Sequence, residues 1–359
     1  MNPDLSTASP CILLYCRSGF EKECAADIIH QAALLGVGGY VKTGSESGVV
    51  SFFPYGEAGF DSLRRLLRFD DLVFARQLLF ASGPSPDLGV DDRITPLLAL
   101  IRSLGSCFSD VVLETADTNE AKALSGFLRK FATPFRLALA RENLLGNQYL
   151  PRLHVFFMTA TSAYVGLSAE GNSSPWVMGI PRLRFPRGAP SRSTLKLDEA
   201  FQVFVDDPEH DLRPAMTAVD LGAAPGGWTF QLVRRHLRTI AVDNGALDPA
   251  LLESGIVEHR RADGFRYRPT KPVDWLVCDM VEQPSRIASL VADWLAEGQC
   301  RHAIFNLKLP MKKRYEAVTE CRALIEHRLA SSGHDFKLAF KQLYHDRAEV
   351  TGYARRLGI

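Results

Sequence analysis

The stretch from Thr217 to Arg235 restricts the fold more than any other part of the chain. It opens with the run Thr217-Ala218-Val219-Asp220-Leu221 and turns through Gly222-Ala223-Ala224-Pro225-Gly226-Gly227. Trp228 to Arg235 then follows with helical spacing of its apolar residues. An apolar run this short reads as a brief buried strand. Strand, glycine-rich turn and helix together form the entry of a doubly wound α/β domain. Missing side chains there let a ligand approach the backbone, and free helix N–H groups face it. The turn carries neither the G-x-G-x-x-G spacing of dinucleotide binders nor the G-x-x-x-x-G-K-[ST] of a phosphate loop. A tight turn that needs glycine only for steric reasons fits the same residues.

The rest of the chain supplies the context. Its 359 residues are more than one ordinary domain, and two are expected. In the first half, strands are expected at 11–16, 39–42, 48–53, 72–80 and 110–115, with a hairpin over 154–167. Helices are expected at 19–35, 58–67, 94–104 and 120–139, the last interrupted at Thr133-Pro134; Phe74, Leu78 and Ala81 also fit a helix in place of the 72–80 strand, and Pro84 and Pro86 break whichever element precedes them. Gly, Pro, Ser and Arg concentrate between Gly171 and Arg192, which reads as a linker between an α+β region (1–170) and the α/β domain (193–359). Past the linker, a helix over 193–205 carries the stripe Leu195, Leu197, Ala200, Phe201 and Phe204. Strands near 217–221, 239–243, 256–259, 273–279 and 303–307 then alternate with helices at 228–235, 249–253, 284–297 and 312–330. A pair near 336–340 and 350–355 ends the domain.

Composition narrows the class further. Hydrophobic residues make up 46% and charged residues 23%, as in soluble globular proteins, and no apolar run reaches the length of a membrane span. Met1 to Leu5 carries an acid and no basic segment, unlike a signal peptide. Seven scattered cysteines without a C-x-x-C pair point to reduced thiols and a cytoplasmic protein. The nine histidines form no ligand-spaced set, so no metal is expected. Net charge is only +1, and contact with nucleic acid must come from local clusters. Two exist: Arg182, Arg184, Arg187, Arg192 and Lys196; and Arg301, Lys308, Lys312, Lys313 and Arg314.

Ligands of such sheets bind at the carboxyl ends of the strands. The residues there are the Ala224, Pro225, Gly226, Gly227 turn, then Asp243, Asp263, Asp279 and Lys308. Asp243 can accept from ribose hydroxyls. Asp263 suits either an adenine amino group or the cap of a helix. Asp220-Leu221-Gly222-Ala223-Ala224-Pro225-Gly226-Gly227-Trp228 resembles the cofactor loop of S-adenosylmethionine methyltransferases, in the form shared by RNA ribose 2′-O-methyltransferases. Lys308 beside Asp279 then suits proton removal from a ribose hydroxyl. A lysine of ordinary pKa about 10.4 is a base only if burial and a second cation, here Lys196, lower that value. Carboxylate contact from Asp279 and Glu349 acts the other way, and the residues alone leave the balance open.

Five blocks in order, Pro190 to Leu197, Asp220 to Thr229, Val277 to Glu282, Asn306 to Tyr315 and Gln342 to Thr351, resemble the RlmM family of bacterial 23S rRNA 2′-O-ribose methyltransferases. Arg17 to Cys24 and Asp117 to Glu120 extend the likeness over nearly the whole chain. The resemblance implies a Rossmann-like class I methyltransferase domain with a mostly parallel sheet and a terminal antiparallel hairpin. Before it would stand a THUMP-like, ferredoxin-like RNA-binding region. It implies Lys196, Asp279, Lys308 and Glu349 as a catalytic Lys-Asp-Lys-Glu tetrad with Lys308 as general base. S-adenosylmethionine, leaving as S-adenosylhomocysteine, would be held by Ser193, Ala224, Pro225, Gly226, Gly227, Asp243, Asp263 and Asp279. The substrate it implies is a cytidine of 23S rRNA, naked or early in assembly, met by a monomer with no membrane partner. Two positions depart from relatives: Ala224 stands where many carry Cys, and Ala348 where many carry Glu. The end at Ile359 is short beside relatives with a longer tail.

Overall fold

The computed structural model describes residues 9–85, 88–146 and 148–358; the expectations placed on Met1 to Leu5, Pro86 and Ile359 lie outside them. The chain divides into two compact units, the first ending at Pro181 and the second beginning at Arg182.

The first unit runs β1 (Pro10–Cys16), α1 (Glu21–Leu34), β2 (Gly39–Thr43), β3 (Val49–Pro54), α2 (Gly56–Leu66), β4 (Ala75–Ser82), α3 (Ile94–Leu104), β5 (Val111–Thr115), α4 (Ser125–Arg141), β6 (Arg152–Thr159) and β7 (Ser162–Ser168). Its strands form one sheet in the order β2-β3-β1-β4-β7-β6-β5. The first six elements make a βαββαβ unit of the ferredoxin-like kind, with β1 antiparallel to both β3 and β4. Cys24, Ile28 and Ala32 recur every fourth residue on α1 and are all buried, as their spacing requires. The expected strand at 72–80 starts later, at Ala75, because the Val73 and Phe74 N–H groups donate to Asp27 Oδ2 at 2.6 and 3.0 Å. The interruption expected at Pro134 does not occur, and α4 passes through it. Pro134 lies on the exposed face, as does Lys130 one turn earlier, whose carbonyl loses its helical donor and can turn to water.

The second unit runs α5 (Thr194–Phe204), α6 (Pro208–Asp211), β8 (Thr217–Leu221), α7 (Gly227–Arg234), β9 (Arg238–Val242), α8 (Pro249–Glu253), β10 (Val257–Arg260), β11 (Val273–Cys278), α9 (Pro284–Ala296), β12 (Cys300–Lys308), α10 (Arg314–Ala330), β13 (Phe336–Lys341) and β14 (Glu349–Arg356). The sheet order is β10-β9-β8-β11-β12-β14-β13. Five strands pair in parallel, and β14 enters antiparallel between β12 and β13. This is the expected Rossmann-like methyltransferase sheet with its terminal hairpin. Strand order reverses between β8 and β11, so their carboxyl ends open a crevice. The α5 stripe of Leu197, Ala200, Phe201 and Phe204 is buried against Trp228, Trp275 and Tyr353, which fixes α5 over the sheet. Among the described residues, no helix is long and apolar enough to cross a membrane.

Candidate active site

The crevice holds a cavity of about 600 Å³ lined by Ser193, Lys196, Gly222, Ala223, Ala224, Trp228, Asp279, Val281, Lys308, Leu309, Arg347, Ala348 and Glu349. Each charged side chain reaches it from a different element. Lys196 projects from the first turn of α5, Asp279 follows β11, Lys308 ends β12 and Glu349 begins β14. Register joins the last two, because Lys308 pairs directly with Glu349 across the antiparallel β12–β14 ladder.

Two amines and two carboxylates alternate in a ring. Lys308 Nζ donates to Asp279 Oδ1 and, at 3.0 Å, to Glu349 Oε2. Lys196 Nζ donates to the same Glu349 oxygen at 2.5 Å and lies 3.7 Å from Asp279 Oδ2. The two lysines thus share one carboxylate oxygen and are close neighbours. All four side chains keep 13–20% exposure, enough to meet a ligand while being largely withdrawn from water. Burial lowers the Lys308 pKa, but the charges and hydrogen bonds of Asp279 and Glu349 outweigh it and hold the amine above its ordinary 10.5. The balance that the residues left open therefore falls to the carboxylates in the protein by itself.

Asn306 is a partner that the sequence reading passed over. Its Nδ2 donates to Asp279 Oδ1 at 2.9 Å and to Glu349 Oε2 at 3.1 Å, while its Oδ1 accepts from Thr351 at 2.8 Å. The signal was present in the strand period, which puts Asn306 on the same face as Lys308. Glu199 was missed as well. One turn beyond Lys196, it accepts from the backbone N–H groups of Tyr344 and His345 at 2.8 and 2.9 Å, tying α5 to the segment before β14. Burial pushes the Cys278 thiol up to about 12, so that neighbour of Asp279 offers no thiolate.

The glycine turn is shaped by close approaches. A Cβ on Gly227 would stand 2.1 Å from Ser193 Oγ, and one on Gly222 would stand 2.6 Å from Met280 Cγ. Asp243 closes the turn from below, accepting from Ala224 N–H at 3.0 Å and from Gly245 N–H at 2.7 Å. Asp220 lies wholly buried, with Thr229 donating to its Oδ2 at 2.6 Å and no protein partner on its Oδ1. Burial, with the charges of Asp279 and Asp243, raises its pKa to about 7 against the hydrogen bonds of Thr229.

Of the residues expected at the site, Ser193, Lys196, Ala224, Asp279, Lys308 and Glu349 line one cavity, with Pro225, Gly226, Gly227 and Asp243 beside it in the turn and its support. Asp263 is not among the lining residues. Its Oδ1 accepts from Phe265 N–H at 2.9 Å in a turn between β10 and β11, where no helix follows for it to cap. The second basic cluster also separates, since Arg301 sits at the opposite end of β12 from Lys308. Among the described residues, no group of three or more His, Cys, Asp or Glu side chains is placed to hold a metal ion.

Three family models match the chain in succession: an RlmM ferredoxin-like domain over 9–79, the N-terminal region of ribosomal RNA large subunit methyltransferase M over 92–169, and an FtsJ-like methyltransferase over 189–309. Curated relatives match along their whole length. The ribosomal RNA large subunit methyltransferase M of Methylococcus capsulatus is 62% identical over 97% of this chain and 98% of its own. That of Cellvibrio japonicus is 52% identical over 96% and 99%, and that of an Azoarcus species is 54% identical over 95% of each. With end-to-end identity at this level, on a methyltransferase sheet whose crevice gathers the four charged residues, the chain belongs to the RlmM family of ribosomal RNA large subunit methyltransferases.

Proposed function

We propose that this protein methylates the ribose 2′-hydroxyl of a cytidine in 23S rRNA, in the peptidyl-transferase region, with S-adenosylmethionine as donor. The observation that carries the reading is the ring of Lys196, Asp279, Lys308 and Glu349 opening onto the same cavity as the glycine turn.

The residues around the turn fit this cofactor better than a dinucleotide. Met280, Leu251 and Ser193 fill the space that side chains on Gly222, Gly226 and Gly227 would take, which keeps the turn compact, and Asp243 and Asp279 set carboxylates beside it. Such a field attracts a molecule carrying an ammonium and a sulfonium and repels a pyrophosphate. The backbone of the Ala223–Gly227 turn, whose first two residues line the cavity, would hold the amino-acid end. Asp243 would receive the ribose hydroxyls. When bound, the cofactor supplies an electrophilic methyl group.

The chain's own part is to bring a hydroxyl into line and to take its proton. Lys308 is the proton acceptor, and Lys196 and Asn306 hold Asp279 and Glu349 in place around it. Lys308 must first give up the proton that those two carboxylates favour, so this reading requires ligand binding to weaken their hold. The first unit, with its ferredoxin-like half, presents the RNA, and the protein acts as a cytoplasmic monomer. Mass mapping of 2′-O-methyl groups on rRNA from cells lacking this gene tests the substrate. Loss of one cytidine modification is expected, and an unchanged pattern would overturn the assignment. Thermal shifts with S-adenosylhomocysteine and with NAD separate the cofactors, stabilisation being expected from the first alone.

A further inference from the structure

Arg347 lines the same cavity but stands outside the ring of four charges. The charges around it are unevenly committed. Lys196 and Lys308 are both engaged by Asp279 and Glu349, whereas no carboxylate of the described residues lies within ion-pair distance of Arg347. Its side chain is exposed, but its backbone is held. The Arg347 carbonyl accepts from Gln342 Nε2 at 3.5 Å, and the carbonyl of the next residue, Ala348, accepts from Leu309 N–H at 2.8 Å. The turn that carries it is pinned by buried Asp346, which accepts from Leu343 N–H and Thr351 Oγ1, each at 3.0 Å. A guanidinium carried on an anchored turn, two residues from Glu349 and lining a cavity, is a positive fork suited to an anion.

Resting on the proposed reaction, we infer that Arg347 grips the phosphodiester on the 3′ side of the target nucleotide. The 2′-hydroxyl is on the carbon next to the one that carries this phosphate. A bidentate hold on the phosphate therefore fixes the hydroxyl relative to Lys308, and the orientation enters the rate as well as the affinity. The contact carries no base information, so Arg347 positions the ribose and does not select the nucleotide.

The test uses the full-length protein and an unmodified 23S rRNA transcript, with S-adenosylmethionine as methyl donor for the rates and S-adenosylhomocysteine for the binding measurements. Arg347→Ala is expected to lower kcat/KM for the transcript by about 10- to 100-fold, the range for losing a hydrogen bond to a charged group. It should also flatten the slope of log binding constant against log salt by about 0.7, one phosphate contact on single-stranded RNA. Affinity for S-adenosylhomocysteine should not change, and Arg347→Lys should recover part of the loss. An unaltered salt slope with unaltered kcat/KM overturns the proposal. So does a loss confined to S-adenosylhomocysteine affinity, which would give Arg347 to the cofactor's carboxylate. Lys308→Ala separates this from failure of the reaction reading, since it should lower transfer by about 10²- to 10⁴-fold and leave the salt slope at its wild-type value. If the wild-type protein methylates no nucleotide, the reaction reading falls, and the slope still reports whether Arg347 meets a phosphate.

Discussion

Each unit contains a hydrogen-bonded cluster built on sheet carboxylates, and the two have opposite access to solvent. In the first, Glu114 of β5 accepts from the Tyr15 hydroxyl and from His154 Nδ1, both at 2.7 Å, and from Met178 N–H at 2.6 Å. His154 Nε2 then lies 2.8 Å from Ser168 Oγ. Serine, histidine and glutamate in this order repeat the connections of a nucleophilic triad. The side chains of His154 and Glu114 are nevertheless completely inaccessible, so no substrate can reach them. The ring in the second unit keeps part of its surface open on a cavity. Residue types and distances are thus similar in kind, and access separates a cluster that satisfies buried polar groups from one that can do chemistry.

That contrast can be broken most sharply by activity. Lys308→Ala should reduce methyl transfer by about 10²- to 10⁴-fold, the usual worth of a positioned base, and leave binding of S-adenosylhomocysteine unchanged. Ser168→Ala should leave transfer at the wild-type rate, although it mimics loss of a nucleophile. A methyl-transfer assay with the two variants side by side decides both. In stability the order reverses. Glu114→Ala leaves the buried His154, Tyr15 and Met178 donors without an acceptor and should cost about 3–5 kcal/mol in denaturant unfolding.

The clusters should also respond at opposite ends of the pH scale. Burial raises the Glu114 pKa, but its hydrogen bonds and the interaction with His154 bring it below the ordinary 4.5. Its stabilisation is therefore present at neutral pH and lost as pH falls through the folded value. Lys308 is raised, so its stabilisation is complete below the ordinary 10.5 and is lost as pH climbs through the folded value. Melting curves across pH should show Glu114→Gln blunting the acid loss and Lys308→Met blunting the alkaline one. The smallest effect expected is on the pH–rate profile. Glu349→Gln removes one charge that holds the Lys308 proton, so the rising limb should move to lower pH. A limb that does not move would show that Glu349 does not act on Lys308.

Much of this was legible in the residues because local patterns controlled it. The α3 boundaries, the β8 strand and the burial of the α5 stripe follow from periodicity and punctuation alone. Pro134 misled because the cost of a helical proline depends on whether the stranded carbonyl faces water, which no local pattern records. Asp263 could be read two ways because a carboxylate after a strand is equally suited to capping a turn. Asn306 escaped notice because its partners, Asp279, Glu349 and Thr351, are distant in the chain and meet it only through sheet pairing.

By itself, then, the order of residues determined a two-part chain, a glycine-turned methyltransferase sheet and the identities of the charged groups at its open end. Those properties depend on side-chain period, steric demand and turn chemistry, all of which act over a few neighbouring positions. Only the tertiary structure decided that Lys196 and Lys308 share one oxygen of Glu349, that the carboxylates outweigh burial at Lys308, and that the Ser168–His154–Glu114 line is sealed. Electrostatic balance and solvent access are sums over groups that the fold brings together from distant parts of the chain, and they exist only once it is packed.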